Sequence, residues 1–203
     1  MLSGVFSHEV LKTQFAGYRS INDKISFEIA NGALVNLRKG WYTTKESLEK
    51  ELYLHFNAAN LIYGPSYISL YTALEYWQLI PEAVKIIESG TLKRSLTIKS
   101  PIGIFNYRNV PEQVFSIGLK SVKTDKLSFV IANQAKALCD VIWSTPGIIL
   151  RSRKDVFKFL TEDLRIDEED FSQFDVDTLE QCLSYGKKKE LLRHLIKIVK
   201  NAG

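Results

Sequence analysis

Residues 33–44 read ALVNLRKGWYTT, and this stretch decides how the start of the chain folds. Its apolar residues fall on alternate positions, with Leu34 and either Val35 or Leu37 before Lys39-Gly40, and Trp41 or Tyr42 after it. A period of two is that of a half-buried strand, and Gly40 suits the tight position of a turn. The spacing predicts two short strands joined into a β-hairpin, with Arg38 and Lys39 near its tip.

Upstream the period lengthens. Val10, Leu11 and Phe15 make one apolar stripe after Ser7, and Gly17 marks a stop. Ile21, Ile25 and Ile29 recur every fourth position after Ser20, and Gly32 closes the segment. Both patterns are helical, each preceded by a serine able to accept the free amide hydrogens of the first turn. Helix, turn, helix, hairpin is the order of a winged-helix DNA-binding unit. In such a unit one helix lies in the major groove while basic side chains of the wing meet phosphates. Asn22, Lys24 and Ser26 are then the candidate base readers, since asparagine pairs with adenine and lysine with guanine. Arg38 and Lys39 are the candidate phosphate contacts. Asp23 and Glu28 oppose DNA on the same helix, and a helical cap with a hairpin that touches nothing fits the pattern equally well.

Downstream, residues 46–60 read as a linking helix with Leu48, Leu52, His55, Phe56 and Ala59 on one side, His55 being a core-edge histidine. Gly64-Pro65 breaks the chain. The division expected is a winged-helix-like domain over 1–60 and an α/β domain over 61–203. Leu70, Ala73, Leu74 and Trp77 form a helical stripe after Ser69. Residues 91–131 change period again: SLTIKS, GIFNY, QVFSIGL and KLSFVIA read as three to four strands of a small, mostly antiparallel sheet. Helices follow after Asn133, after Ser152 with Asp155 completing a capping box, and from about Asp175. The fold class expected is α+β, ending in helices.

The 203 residues carry a net charge of +4, unevenly spread. Residues 1–45 hold six basic and three acidic side chains, and residues 180–203 hold six and two, around a mildly acidic middle. Positive ends attract phosphate, although solvated surfaces carry lysine as well. The lysines and arginines of 93–126 suit either a partner- or RNA-contacting face or strand faces turned to water. The end, KKKELLRHLIKIVK, sets Leu191, Leu192, Leu195, Ile198 and Val199 on one face of a basic amphipathic helix. It suits a membrane surface, DNA, or docking on its own domain.

No run of about 18 uncharged apolar residues exists, as a membrane span needs, and the start lacks the pattern of a secretory signal. Cys139 and Cys182 are too few for a disulfide framework and read as reduced thiols. A cytoplasmic protein is expected. His8, His55 and His194 stand alone, so neither a metal nor a cofactor is expected. There is no glycine-rich phosphate loop, GxSxG or HExxH, and the acidic RIDEEDFSQFDVD lacks the glycine and glutamate of a calcium loop. The expectation is a binding protein without catalysis. An enzyme whose groups assemble from distant positions is the remaining alternative.

Three blocks carry a family likeness. YISLYTALEYWQLIPE (67–82), IANQAKALCDVIW (131–143) and ALVNLRKGWYTT stand in the order in which similar motifs occur in the abortive-infection AbiEi antitoxin family. The chain resembles a divergent member, with Gln134-Ala135 where the family usually has proline-glutamate and Gln78 where it usually has glycine. The resemblance implies a transcriptional autoregulator and antitoxin of a type IV toxin–antitoxin, phage-defence module. Such a protein binds its own promoter DNA through the winged helix and opposes a nucleotidyltransferase-like toxin, without necessarily forming a stable complex with it. By position, Arg38, Lys39 and Tyr42 match the basic and aromatic residues of the family wing, adding Tyr42 to the DNA-binding candidates. Lys136, Ala137, Leu138 and Asp140 match the later motif; Tyr67, Ser69, Leu70, Ala73 and Leu74 match the earlier one. Lys136 and Asp140 stand four apart, the spacing of a helical ion pair. A protein-interaction module of the same fold without DNA binding is the alternative.

Overall fold

The computed structural model describes residues 2–81 and 85–202. Glu82, which ends the first family-like motif, lies outside them. The chain opens with strand β1 (Val5–Ser7), helices α1 (His8–Gln14) and α2 (Ile21–Ala30), and the expected hairpin, β2 (Leu34–Arg38) and β3 (Trp41–Thr44). The three strands form an antiparallel sheet in the order β1-β3-β2. Strand β1 escaped the periodicity because three residues are too few to show an alternation. The Ser20 hydroxyl accepts from the Asp23 amide as a helix cap should, whereas Ser7 makes no side-chain cap bond.

The sheet is apolar on both faces. Phe6, Leu34 and Tyr42 close a small core with Leu11 of α1 and Ile25 of α2. Val5 and Leu37 point the other way and join the large core of the rest of the chain. Polar contacts pin the same seam: the Gly4 amide donates to Ser47, and the Val5 amide donates to Asn57.

The single linking helix expected over 46–60 is two, α3 (Lys45–Lys50) and α4 (Leu54–Ile62), because Glu51 is extended. Then come β4 (Ser66–Ile68), α5 (Leu70–Tyr76), β5 (Ile86–Thr91), β6 (Leu96–Ser100), β7 (Gly103–Asn109), α6 (Glu112–Phe115), β8 (Leu119–Lys123) and β9 (Ser128–Ala132). The sheet has six strands in the order β6-β7-β5-β4-β9-β8. It is mixed rather than mostly antiparallel: β4 runs parallel to β9 and β5 parallel to β7. Two strands were missed. All three residues of β4 are buried, and a strand covered on both sides has no polar alternation to read. Strand β5 ends in Ser-Gly-Thr, a turn-like composition. The QVFSIGL segment, expected as strand, is divided between α6 and β8.

Helix α7 (Gln134–Ser144) packs against α5 and α9 (Val176–Tyr185). Helix α8 (Arg153–Lys158) starts at the expected capping box. The last helix, α10 (Lys189–Ala202), buries Leu191, Leu192, Leu195, Ile198 and Val199 against its own domain. Docking thus accounts for its apolar face. The fold is a mixed α/β one with N-terminal β-α elements, a mixed sheet and C-terminal helices. Among the described residues, no helix is long and apolar enough to cross a membrane, and no cluster of side chains could hold a metal ion.

Candidate functional site

The two motifs singled out in the sequence meet inside the large core. Along β4 the side chains alternate. The Ser66 hydroxyl donates to the Ala59 carbonyl of α4, while Tyr67 and Ser69 turn toward α7. Gly90 of β5 lies opposite Tyr67, and a Cβ there would stand 2.5 Å from the phenol ring. Only glycine lets the ring cross the sheet at that point.

The Tyr67 hydroxyl donates to Asp140 Oδ2 at 2.8 Å, and the Ser69 hydroxyl donates to the same oxygen at 2.7 Å. Lys136 Nζ donates to Oδ1 at 2.5 Å, the pair expected from the four-residue spacing. The ammonium also sits between two aromatic faces, 5.2 Å from the Tyr67 ring centre and 5.0 Å from that of Trp143. Lys136 and Ser69 are 0% exposed and Asp140 is 4% exposed. Charges this deep persist only when paired and hydrogen-bonded, and this carboxylate receives three donors. Burial and the Asp140 charge push the Tyr67 phenol well above its ordinary range, so it keeps the proton it donates.

Ser69 is the N-cap residue of α5, but its hydroxyl makes no cap bond and goes to Asp140. Leu70, next in line, has a φ of 52°, a left-handed conformation that costs about 1–3 kcal/mol in a non-glycine residue. That turn lets α5 begin while Ser69 faces inward. At the head of α7, Asn133 accepts from the Lys136 amide at 2.8 Å and donates to Thr178 of α9 at 3.0 Å. Cys139 and Cys182, both buried and free, lie in the α7–α9 contact.

A cavity of about 160 Å³ opens over this constellation. Asp140 and Leu70 line it with Val110, Val114, Trp143 and Tyr185, and Arg108 and Lys187 also border it. The Trp143 indole donates to the Lys187 carbonyl at 2.9 Å. Gly186 lies so close under the indole that no Cβ fits there. The sequence signal for the constellation was the motif pair itself; the cavity had none, because its walls come from four separate stretches of chain.

The residues expected to read DNA are dispersed by environment. Asn22 and Ser26 are exposed on α2. Lys24 pairs with Glu28 at 2.5 Å and lies 4.8 Å from the Tyr18 ring centre and 5.1 Å from that of Phe27. Tyr42, 7% exposed, is a packing residue of the small core, so its side chain does not reach out from the hairpin. Lys39 is exposed at the turn. Arg38 is not free at the tip. Its guanidinium donates to the Ile62 carbonyl at the end of α4 and lies 5.5 Å from the Tyr63 ring centre. Lys93 lies 5.1 Å from the same ring, whose hydroxyl donates to the Arg94 carbonyl. Arg38 of the hairpin and Lys93 of the β5–β6 loop thus meet on the Tyr63 ring, with Lys39 and Arg94 next to them along the chain. Among the described residues none of the four is in an ion pair. Sequence reading placed Lys93 and Arg94 in a separate basic stretch and had no means of joining them to the hairpin. Compared with known proteins, the chain matches no family model and no curated protein.

Proposed function

We propose that the chain is a non-catalytic, DNA-binding autoregulator whose N-terminal unit is a winged helix. The strand order β1-β3-β2, with α1 and α2 between β1 and β2, supports that assignment. In it α2 is the groove-facing helix, Asn22 and Ser26 are its free polar side chains, and the β2–β3 turn is a short wing. The observation that carries the proposal is the cation group around Tyr63. Like charges gathered without acidic partners repel one another, and an anionic polymer relieves that cost. Phosphate contact then runs from Lys39 and Arg38 onto Lys93 and Arg94. The resemblance to AbiEi antitoxins supplies the rest: a type IV antitoxin that represses its own promoter and opposes a nucleotidyltransferase-like toxin, in the cytoplasm.

Promoter DNA is titrated by fluorescence anisotropy at several salt concentrations. Alanine at Arg38 and Lys39, or at Lys93 and Arg94, should weaken operator and random DNA alike and lower the salt slope by up to about two, one per lost phosphate contact. Asn22→Ala should instead reduce the preference for operator. No binding at low salt with micromolar protein would refute the proposal.

A second reading has its own observation. Val10 (40% exposed), Tyr18 (52%), Phe27 (56%) and Ile29 (36%) are bare on α1, α2 and their connection, where Lys24 is neutralised by Glu28. Apolar exposure of this kind suits a protein partner better than a phosphate backbone. Capture of a protein partner that is lost on Phe27→Ala, with no DNA binding by the wild type, would favour the interaction module.

A further inference from the structure

We propose that the cavity over Asp140 binds a nucleoside monophosphate, with the base inserted and the phosphate at the rim. Three features of the walls select this class. The inner surface is apolar and aromatic: Leu70, Val110, Val114 and Trp143, with Tyr185 beside the opening. A flat ring is the shape such walls hold, and bases stack on aromatic side chains regardless of sequence.

The floor is polar and acceptor-only. Asp140 reaches the cavity while three of its roughly four lone-pair sites are taken by Lys136, Tyr67 and Ser69. The remaining site asks the ligand for an N–H or O–H donor. Every base supplies one, from the exocyclic amine of cytosine, adenine or guanine or from the N3–H of uracil.

The border is cationic. Arg108 and Lys187 are both exposed there, and among the described residues neither is in an ion pair. Size decides how the ligand sits. At about 160 Å³ the cavity is below the roughly 300 Å³ at which pockets begin to enclose a drug-sized molecule. One base enters, and the sugar and phosphate stay outside within reach of the two cations.

The same chemistry is offered by a free nucleotide and by the terminal nucleotide of an RNA, so the test has an arm for each. The full-length protein is titrated with cytidine, adenosine, guanosine and uridine monophosphates, inorganic phosphate, and a 5′-phosphorylated RNA tetranucleotide, by calorimetry and by tryptophan fluorescence. The expected result is saturable binding of all four nucleoside monophosphates, each tighter than inorganic phosphate by about tenfold, the worth of one hydrogen bond to a charged group. Arg108→Ala should weaken the nucleotides by a similar factor, and Tyr185→Ala should weaken them while leaving the melting temperature unchanged. Both side chains are exposed, so these variants test the site even where Asp140→Asn fails to fold. Tighter binding of the tetranucleotide than of any free nucleotide identifies the RNA end as the source; the reverse identifies the free nucleotide. The proposal is overturned by the absence of saturable binding to all six probes. Phosphate binding as tightly as the nucleotides, or unchanged affinities in both Arg108→Ala and Tyr185→Ala, overturns it equally. These outcomes are independent of DNA binding, because no residue of the cavity belongs to the cation group around Tyr63.

Discussion

Among the pairs in which a helical lysine is followed four residues later by an acid, two have the same N–O distance. On α2, Lys24 meets Glu28 at 2.5 Å; on α7, Lys136 meets Asp140 at 2.5 Å. Their surroundings differ. The α2 side chains are 20% and 21% exposed, and the lysine covers aromatic rings at the surface. The α7 side chains are 0% and 4% exposed, and hydroxyls and aromatic faces replace water around them. A pair open to solvent loses most of its attraction to screening, whereas a buried pair holds two charges that have no other place to be solvated. Geometry alone therefore does not rank the pairs; desolvation does. One covers aromatic rings at the surface, and the other organises the floor of a cavity.

The largest effect should follow from breaking the buried pair. Lys136→Ala leaves the Asp140 carboxylate without its cation and should cost about 3–5 kcal/mol in urea unfolding, as removal of one partner of a buried pair generally does. Lys24→Ala should leave the urea midpoint unchanged within error. Joint replacement, Lys136→Met with Asp140→Leu, should recover part of the loss because no stranded charge remains. A loss below about 1 kcal/mol for Lys136→Ala would mean that water reaches the pair, and the contrast between the two helices would collapse.

Leu138 tests the apolar side of the same helix. It is 0% exposed, between the two charged positions. Leu138→Ala should cost about 2–5 kcal/mol, the upper half applying if the helices cannot close over the void. A loss under about 1 kcal/mol would show α7 to be loosely packed.

Alkaline pH separates the regions by another route. Burial pushes the phenols of Tyr67 and Tyr107 and the thiol of Cys139 well above their ordinary ranges, and all three lie in the α/β domain. The unfolded chain gives up these protons first, so it is favoured as pH rises past the unfolded values, about 8.5 for cysteine and about 10 for tyrosine. Stability should be level below about pH 8 and fall steeply above pH 9. Tyr107→Phe, which removes one titrating group and one hydrogen bond to Ala59, should be less stable at pH 7 but lose less on going to pH 10. Equal slopes in wild type and variant would show that Tyr107 does not carry the effect.

What the sequence made legible follows the length and the one-sidedness of each pattern. The hairpin over 34–44 was legible because its alternation and its turn glycine agree. Helix α7 was legible because Asn133 caps it and its apolar positions repeat. Strands β1 and β4 were not, since three residues hold no period and β4 is buried on both faces. The motif blocks pointed to Tyr67, Ser69, Lys136 and Asp140, and the four-residue spacing gave the ion pair. Nothing in the sequence said that Tyr67 and Ser69 close on the same carboxylate from 73 and 71 positions away. The same limit applied to Arg38. Its place at a hairpin tip was correct, but its commitment to Ile62 and Tyr63 depends on packing against a segment that periodicity treats separately.

The smallest expected effect is the most discriminating, because it compares one device in both regions. Ser20 and Asn133 are each a helix N-cap that accepts from the third residue of its helix. The Ser20 bond is 3.4 Å long and exposed, so water replaces it readily when it is lost. The Asn133 bond is 2.8 Å long, the residue is 5% exposed, and its amide also holds Thr178 of α9. Truncating Asn133 strands the buried Lys136 amide hydrogen and removes the link to Thr178, whose hydroxyl keeps Asp175, which adds a desolvation penalty to the lost cap. Asn133→Ala should therefore cost about 2 kcal/mol, the top of the range for caps, and Ser20→Ala about 0.5 kcal/mol, the bottom. The difference should persist in high salt, since neither bond joins two charges. Equal losses at the two positions would mean that capping energy is intrinsic to the motif. The principle drawn from the two ion pairs, that burial sets the value of a local contact, would then fail for uncharged groups.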